Sequence, residues 1–481
     1  MEIGIVGAGV GGLVTALLLA KQGNTVTIFE KEAFLGGRLT SQGNDRYRID
    51  QGPTIVLLPD LLKEILHEAG IPDEELELIP CDPLYDIHFN DGTSYTKYRD
   101  LPTQLAEIER QFPGESDQFL RYLSDMSKVY RLGMKAFLSK SFKRKRDFLT
   151  FENMKLLADS KAYKDLKSFN ASYFSHSKLQ EAYSLQSLYI GGSPLEVPGL
   201  YGLVAYSEHA FGIWYLKGGY YNLIPVLERA CEKMGVTIHR EAKVERIQIE
   251  RNVCKGLVVN NEEYGFDAVV FNGDFPHLYP MINTRERKKS YKASSGCVLV
   301  YLGVEKRFPT MKAHQFYLPE DFDKNMNQVF KTKQLPEDPS FYIFNPVALD
   351  EEAAPPGESV LYVLIPVPSG DEIDWETEAH ALVEKVIEKA EQRHFTGLRE
   401  SIRWMEIRTP KDAIKDGLFQ GGSFGIAPTL FQSGGFRPQL SPYNIERLYS
   451  VGASVHPGGG VPIVLQGARI LSELIRKELG A

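Results

Sequence analysis

A short apolar run, Glu2 to Val6, ends directly on Gly7-Ala8-Gly9-Val10-Gly11-Gly12. Leu13 to Gln22 then reads as a helix, Gly23-Asn24 as a turn, and Thr25 to Phe29 as a second strand closed by Glu30. This order is a βαβ unit with Gly7, Gly9 and Gly12 in the GxGxxG positions. Each glycine answers a separate demand. The first permits a tight strand-to-helix turn, the second lets a pyrophosphate approach the backbone, and the third lets helix pack close on strand. The pyrophosphate meets the unpaired N–H groups at the positive end of the helix dipole. Glu30, about 20 residues on, is placed to hold the ribose hydroxyls. The unit predicts an α/β fold with a Rossmann-like dinucleotide domain.

The residues that follow select the dinucleotide. Gly36-Gly37-Arg38 comes soon after Glu30-Lys31, and Asp50-Gln51-Gly52-Pro53 comes next. A second Gly-Gly-Arg brings close backbone and a fixed cation to the pyrophosphate. Fingerprint, acid, Gly-Gly-Arg and then an extended D-x-G-P segment resemble the flavin amine oxidase and phytoene desaturase superfamily. That resemblance implies FAD.

The end of the chain is more specific. Leu448 to Ser450 reads as a strand, followed by Val451-Gly452-Ala453-Ser454-Val455-His456-Pro457-Gly458-Gly459-Gly460-Val461-Pro462-Ile463-Val464 and a helix to about Leu479. The helix directs its free N–H groups at whatever the glycine loop approaches, and developing negative charge on a reduced flavin suits it. This stretch is similar to the signature of the bacterial phytoene desaturase family. Tyr189 to Pro194, Phe211 to Trp214, Lys217-Gly218-Gly219, Gln432-Ser433 and Phe436-Arg437-Pro438 follow in family order. Gly-Gly-Tyr-Tyr after Lys217 and the Gly-Gly-Gly-Val-Pro-Ile-Val ending look closest to the branch acting on C30 (diapocarotenoid) substrates.

The candidate cofactor-binding residues fall into three groups. The first segment supplies Gly7, Gly9, Gly11, Gly12, Glu30 and Lys31. The next supplies Gly37, Arg38, Gly52 and Pro53, and the last Gly452, Ala453, Gly460, Val461 and Pro462. The resemblance adds Val244, whose backbone faces adenine in the superfamily.

A chain of 481 residues exceeds what one growing core fills, so two lobes are expected. The reading is a discontinuous FAD-binding domain, with a second, mixed α+β domain for substrate and membrane. Residues 1–89, 214–285 and 439–481 are assigned to the first, and 90–213 and 286–438 to the second. The middle of the first contains a helix from about Asn222 to Met234 and strands at Val236–His239, Ala242–Ile247 and Phe266–Gly273. The second contains strand-like runs, Cys297–Val304 and Val360–Val367, and a charged helix from about Trp375 to His394. From Phe137 to Leu157, aromatic residues alternate with Lys140, Lys143, Arg144, Lys145, Arg146 and Lys155. That mixture suits a surface lying on anionic lipid. It also suits a helix packed on the core with its charges in water.

The net charge of −8 argues against nucleic acid as a partner. Cys81, Cys231, Cys254 and Cys297 are widely spaced with no CxxC pair, so neither a zinc site nor a disulfide framework is suggested. No basic leader with a cleavage site is expected, because the glycine motif claims the first apolar segment. No apolar run approaches the ~18 residues of a spanning helix, so any membrane contact is expected to be peripheral. The implied location is the cytoplasm, against the inner face of the cell membrane.

The resemblance implies FAD-dependent desaturation of a phytoene- or diapophytoene-type polyene, with a hydride passing from carbon to flavin. The protein holds the chain against the flavin and keeps the slot dry. Glu208 is the candidate proton acceptor, and His209, Asp274 and His456 are the other polar candidates. Phe436 and Arg437 are placed either to line the slot or to brace the flavin loop. With no second dinucleotide fingerprint and no cysteine pair, oxygen or a membrane quinone is the expected electron acceptor. Three alternatives stay open. One is oxygenation of a terminal methyl to an aldehyde, another is amine oxidation, and the third is a flavin-bound protein that only carries lipid.

Overall fold

The computed structural model describes residues 1–143, 145–284 and 288–480. Arg144 and the 285/286 segment boundary lie outside the described residues, as does the side chain of Lys145.

Five parallel strands form the first sheet, in the order Leu448–Ser450, Ala268–Phe271, Glu2–Val6, Thr25–Phe29, Thr237–His239. A parallel sheet is buried on both faces, so its strands read as nearly continuous apolar runs, and Ile3, Ile5, Ile28 and Val270 are fully buried. The helix Val10–Lys21 is apolar almost all round because it is enclosed. It packs against Val461–Leu479 and Leu223–Lys233, while the antiparallel strand Val253–Val259 meets Ala268–Phe271. The C-terminal helix begins at Val461, one turn before the expected Val464, because Pro462 is accommodated in its first turn.

The second sheet has seven strands, in the order Ile402–Arg408, Gly296–Val304, Ser359–Val367, Phe341–Phe344, His314–Tyr317, Tyr85–His88, Ser94–Lys97. Alternation sorts its two faces. Val298, Val300 and Leu302 pack on the charged helix Trp375–Arg393, whereas Leu299, Tyr342, Tyr362 and Leu364 face a large internal cavity. Tyr85–His88 and Ser94–Lys97 form one hairpin of this sheet. The 89/90 division read from the sequence falls within that hairpin, whose strands both belong to the second sheet.

The aromatic-basic segment divides by direction. Phe137, Phe142 and Phe148 are buried in one small cluster with Phe436 against it, while Leu149 is 48% and Phe151 is 84% exposed. Among the described residues no helix is long and apolar enough to cross a membrane.

Candidate active site

The fingerprint turn is built as its glycines require. Gly7 adopts φ +95°, which permits the strand to turn at once into the helix. A Cβ on Gly12 would lie 2.3 Å from the Gly7 carbonyl oxygen, so Gly12 serves helix-strand packing. The Gly36 N–H donates to the Ala8 carbonyl at 2.9 Å, drawing the Gly-Gly-Arg segment against the fingerprint. There a Cβ on Gly37 would meet only the Gly9 Cα, at 3.5 Å. Two bare backbones thus border a cleft with no side chain between them. Glu30 is buried at its edge, its carboxylate accepting the Ala8 N–H at 2.7 Å and the Glu32 N–H at 3.0 Å.

The neighbouring segments close on this cleft. A Cβ on Gly52 would sit 2.6 Å from the Arg38 carbonyl oxygen, so the D-x-G-P segment lies flat on Gly-Gly-Arg. Arg38 donates from Nη1 to the Ser423 carbonyl at 2.9 Å. Burial lowers its pKa, partly offset by Asp274. Asp274 accepts from the Ser454 hydroxyl at 2.5 Å and from the Phe419 N–H at 2.9 Å, so it ties the C-terminal loop to residues 419–426. Arg437 is buried against the same loop. Its Nη2 donates to the Ala453 carbonyl at 2.5 Å, while its buried Nε has no partner among the described residues. His456 is held down to about 4 by burial and is therefore neutral. Its Nε2 lies 2.9 Å from the carbonyls of Phe137 and Lys140, so it braces the aromatic-basic segment.

All of these surfaces line one cavity of about 1580 Å³. Its lining runs from the fingerprint and glycine loop past Thr54, Tyr189, Leu299 and Tyr342 to Met134 and Phe137. That exceeds the roughly 300–1,000 Å³ of an ordinary ligand site, leaving room for a dinucleotide and a long apolar partner together. Every cofactor candidate read from the sequence lines it except Gly12, which lies behind the turn.

Glu208 is not brought to this cavity. Its side chain is fully buried and paired with Lys97, itself fully buried, at 2.6 Å. The same carboxylate oxygen accepts from the Tyr85 hydroxyl at 2.7 Å, and Lys97 also donates to that hydroxyl at 2.9 Å. Glu208 is thus committed to Lys97 and Tyr85 and is absent from the cavity lining. His209 is likewise structural, its Nδ1 lying 3.0 Å from the Tyr98 carbonyl and its Nε2 2.9 Å from the Tyr183 hydroxyl. The sequence reading missed Thr54 and Tyr342, whose hydroxyls meet at 2.8 Å in the cavity wall. Thr54 directly follows Gly52-Pro53 and could have been noticed; Tyr342, in a run of aromatic strand residues, carried no signal.

The family profile for flavin-containing amine oxidoreductases matches residues 10–475. The chain belongs to that family. It is a flavoprotein oxidoreductase with FAD as its cofactor, and the bare Gly9–Gly37 cleft fits such a group. Within the family the chain is carotenoid desaturase-like. It is 50% identical over 476 residues, covering 99% of this chain and 97% of the relative, to a 4,4'-diapolycopen-4-al dehydrogenase of Metabacillus indicus. It is 34% identical over 483 residues (98% and 93%) to a zeta-carotene-forming phytoene desaturase of Myxococcus xanthus. A 4,4'-diapophytoene desaturase of Staphylococcus haemolyticus is 32% identical over 510 residues (100% and 99%). Among solved structures, an oxidoreductase from Methanosarcina mazei aligns with TM-score 0.67 at 16% identity, covering 98% of this chain and 100% of that one. Putrescine oxidase bound to putrescine aligns with TM-score 0.66 at 14% identity over 100% of both chains. These two share the fold.

Proposed function

We propose that this flavoprotein oxidises the aldehyde terminus of a long conjugated polyene of the diapocarotenoid class to a carboxylic acid. The observation that carries the reading is the near-full-length 50% identity to a diapolycopenal dehydrogenase, against 34% and 32% to desaturases. The large cavity accords with it. The net change is aldehyde plus water to acid, with loss of one hydride and one proton. Bound FAD supplies the two-electron acceptor, and oxygen or a membrane quinone then takes the electrons. In this reading Gly9 and Gly37 would border the pyrophosphate, Glu30 would meet the ribose, and Val244 would lie by the adenine, all of them residues of the cavity lining. Gly11 and Lys31 flank the same cleft. Gly452, Ala453, Gly460, Val461 and Pro462 would form the loop against the flavin, with Arg437 bracing it through the Ala453 carbonyl.

The test is to incubate the FAD-loaded protein with a C30 polyene aldehyde and, separately, with a colourless diapophytoene-type precursor. The aldehyde is expected to yield acid by mass spectrometry, and the colourless precursor is expected to stay unchanged. A gain of visible absorbance from the precursor, with the aldehyde untouched, would instead establish desaturation. The 32–34% relatives favour that second reading.

Peripheral contact with an anionic bilayer, on the inner face of the cell membrane, is part of the proposal. Phe151 and Phe431 are 84% and 75% exposed. Phe431 packs on Phe436, which packs on Phe148, and Phe148, Phe436 and Leu430 line the cavity. Exposed Lys140, Lys143 and Lys155 belong to the same region. The apolar tips thus flank the cavity wall where a lipid-dissolved polyene would arrive. Changing both Phe151 and Phe431 to serine is expected to weaken co-sedimentation with anionic vesicles at least about tenfold, since a buried Phe contributes roughly 1.5–3 kcal/mol. Flavin content should not change.

A further inference from the structure

Besides the Tyr201–Ser433 pair, a hydroxyl pair stands in the cavity wall among the aromatic residues of the second sheet. Thr54 Oγ1 lies 2.8 Å from the Tyr342 hydroxyl, and both side chains line the cavity. Behind Tyr342, its hydroxyl is 2.7 Å from His314 Nδ1, and His314 Nε2 is 3.6 Å from Cys81 Sγ. His314 is fully buried, stacked on Phe344 with ring centroids 4.9 Å apart. Phe316, also in the cavity lining, stacks on the Tyr342 ring at 4.8 Å and fixes it. The result is a single file of polar groups running from the buried sheet to the cavity surface.

The file is uncharged. Burial holds His314 down to about 3, keeps the Cys81 thiol protonated by raising it to about 12, and raises Tyr342 well above its ordinary range. Neutral histidine carries one ring proton, so the file has two internally consistent directions. In one, the Cys81 thiol donates to Nε2, Nδ1–H donates to Tyr342, and Tyr342 donates to Thr54. The Thr54 O–H is then left to donate into the cavity. In the other, every donor is reversed and Thr54 presents only lone pairs. An oxygen-bearing substrate selects the first direction, whereas a pure hydrocarbon has no use for either.

We propose that Thr54, backed by Tyr342, is the hydrogen-bond anchor for the oxygen at the substrate's terminus, with His314 and Cys81 as positioning residues that orient it. This rests on the aldehyde-oxidation reading and names how that substrate is told from its hydrocarbon parent. Thr54 follows Gly52-Pro53, so the anchor belongs to the cofactor end of the cavity, where the reacting carbon must be held. A site built to hydrogen-bond an oxygen discriminates strongly against the analogue lacking it, because the wall's hydroxyl would be left unpaired.

The experiment uses the FAD-loaded protein and a long-chain polyene aldehyde, reading the carbonyl stretch of the bound pigment by resonance Raman. In the native protein the stretch is expected below its value in hydrocarbon solvent. Thr54→Val should abolish that shift and reduce the preference for aldehyde over parent hydrocarbon in binding about tenfold, the worth of one hydrogen bond. Thr54→Ser, which keeps the hydroxyl, should retain both, so loss of the donor is separated from loss of fold. Tyr342→Phe should leave a smaller shift, since the threonine loses its orienting partner. An unshifted carbonyl in the native protein, a shift equally large in Thr54→Val, or no binding of aldehyde would overturn the anchor. If aldehyde is oxidised with an unshifted carbonyl, the anchor fails and the proposed reaction stands. If the shift is present without oxidation, the anchor stands and the proposed reaction fails.

Discussion

Replacing Lys97 with methionine is expected to destabilise the protein by about 3–5 kcal/mol, as in other proteins where one partner of a buried ion pair is removed. Lys97 and Glu208 are fully buried, and Tyr85 bonds to both. Burial lowers the lysine's pKa while Glu208 raises it, so the charged form depends on its partner. Without the ammonium, the carboxylate must be protonated or remain as an uncompensated charge. Urea or thermal midpoints check the size of the loss. The double change Lys97→Met with Glu208→Leu should recover much of it, because apolar residues of similar volume often replace such a pair at little cost. The same series decides what Glu208 does. Glu208→Gln should lower the midpoint while folded enzyme retains turnover. Loss of turnover at an unchanged midpoint would restore the carboxylate to the chemistry.

The second large effect is expected in the fingerprint, where two neighbouring glycines should fail in different ways. A methyl group on Gly12 would stand 2.3 Å from the Gly7 carbonyl oxygen, a backbone atom that cannot yield without opening the turn. Gly12→Ala should therefore leave the purified protein almost without flavin and disturb its fold. On Gly9 the nearest obstacle is the Asn272 side-chain nitrogen at 3.2 Å, which can give way. Gly9→Ala should fold normally yet hold FAD more weakly, since its methyl occupies the pyrophosphate cleft. Flavin absorbance per mole of protein, beside the far-ultraviolet circular dichroism, separates these outcomes. Gly12→Ala with full flavin content would refute the packing role assigned to it.

Glycines are legible in a sequence because the demand that selects them is local, a left-handed φ or a backbone that must be approached. Gly7, Gly37, Gly52 and Gly460 were accordingly recognisable before any coordinates, as was the βαβ unit around them. Pairing across long separations leaves no such trace. Lys97 lies 111 residues from Glu208, and nothing near either announces the other. The pairing of Glu208 with Lys97 is therefore invisible from its neighbours in the chain. The hairpin Tyr85–His88/Ser94–Lys97 was split because its place in the second sheet depends on His314–Tyr317, far along the chain. The phenylalanines of the aromatic-basic segment show a further limit. Phe148 and Phe151 are alike in sequence, and only tertiary packing turns one inward and leaves the other in solvent.

The strand order of the nucleotide sheet bears on how the protein comes into being. Ala268–Phe271 gains its outer neighbour only from Leu448–Ser450, and the helix Val10–Lys21 is enclosed only when Val461–Leu479 arrives. A nascent chain must therefore carry an open strand edge and an uncovered apolar helix until residues 448–479 have emerged. Until then that edge is a template for pairing with another chain. A chain truncated before Leu448 is expected to aggregate edge to edge rather than persist as a partly active enzyme.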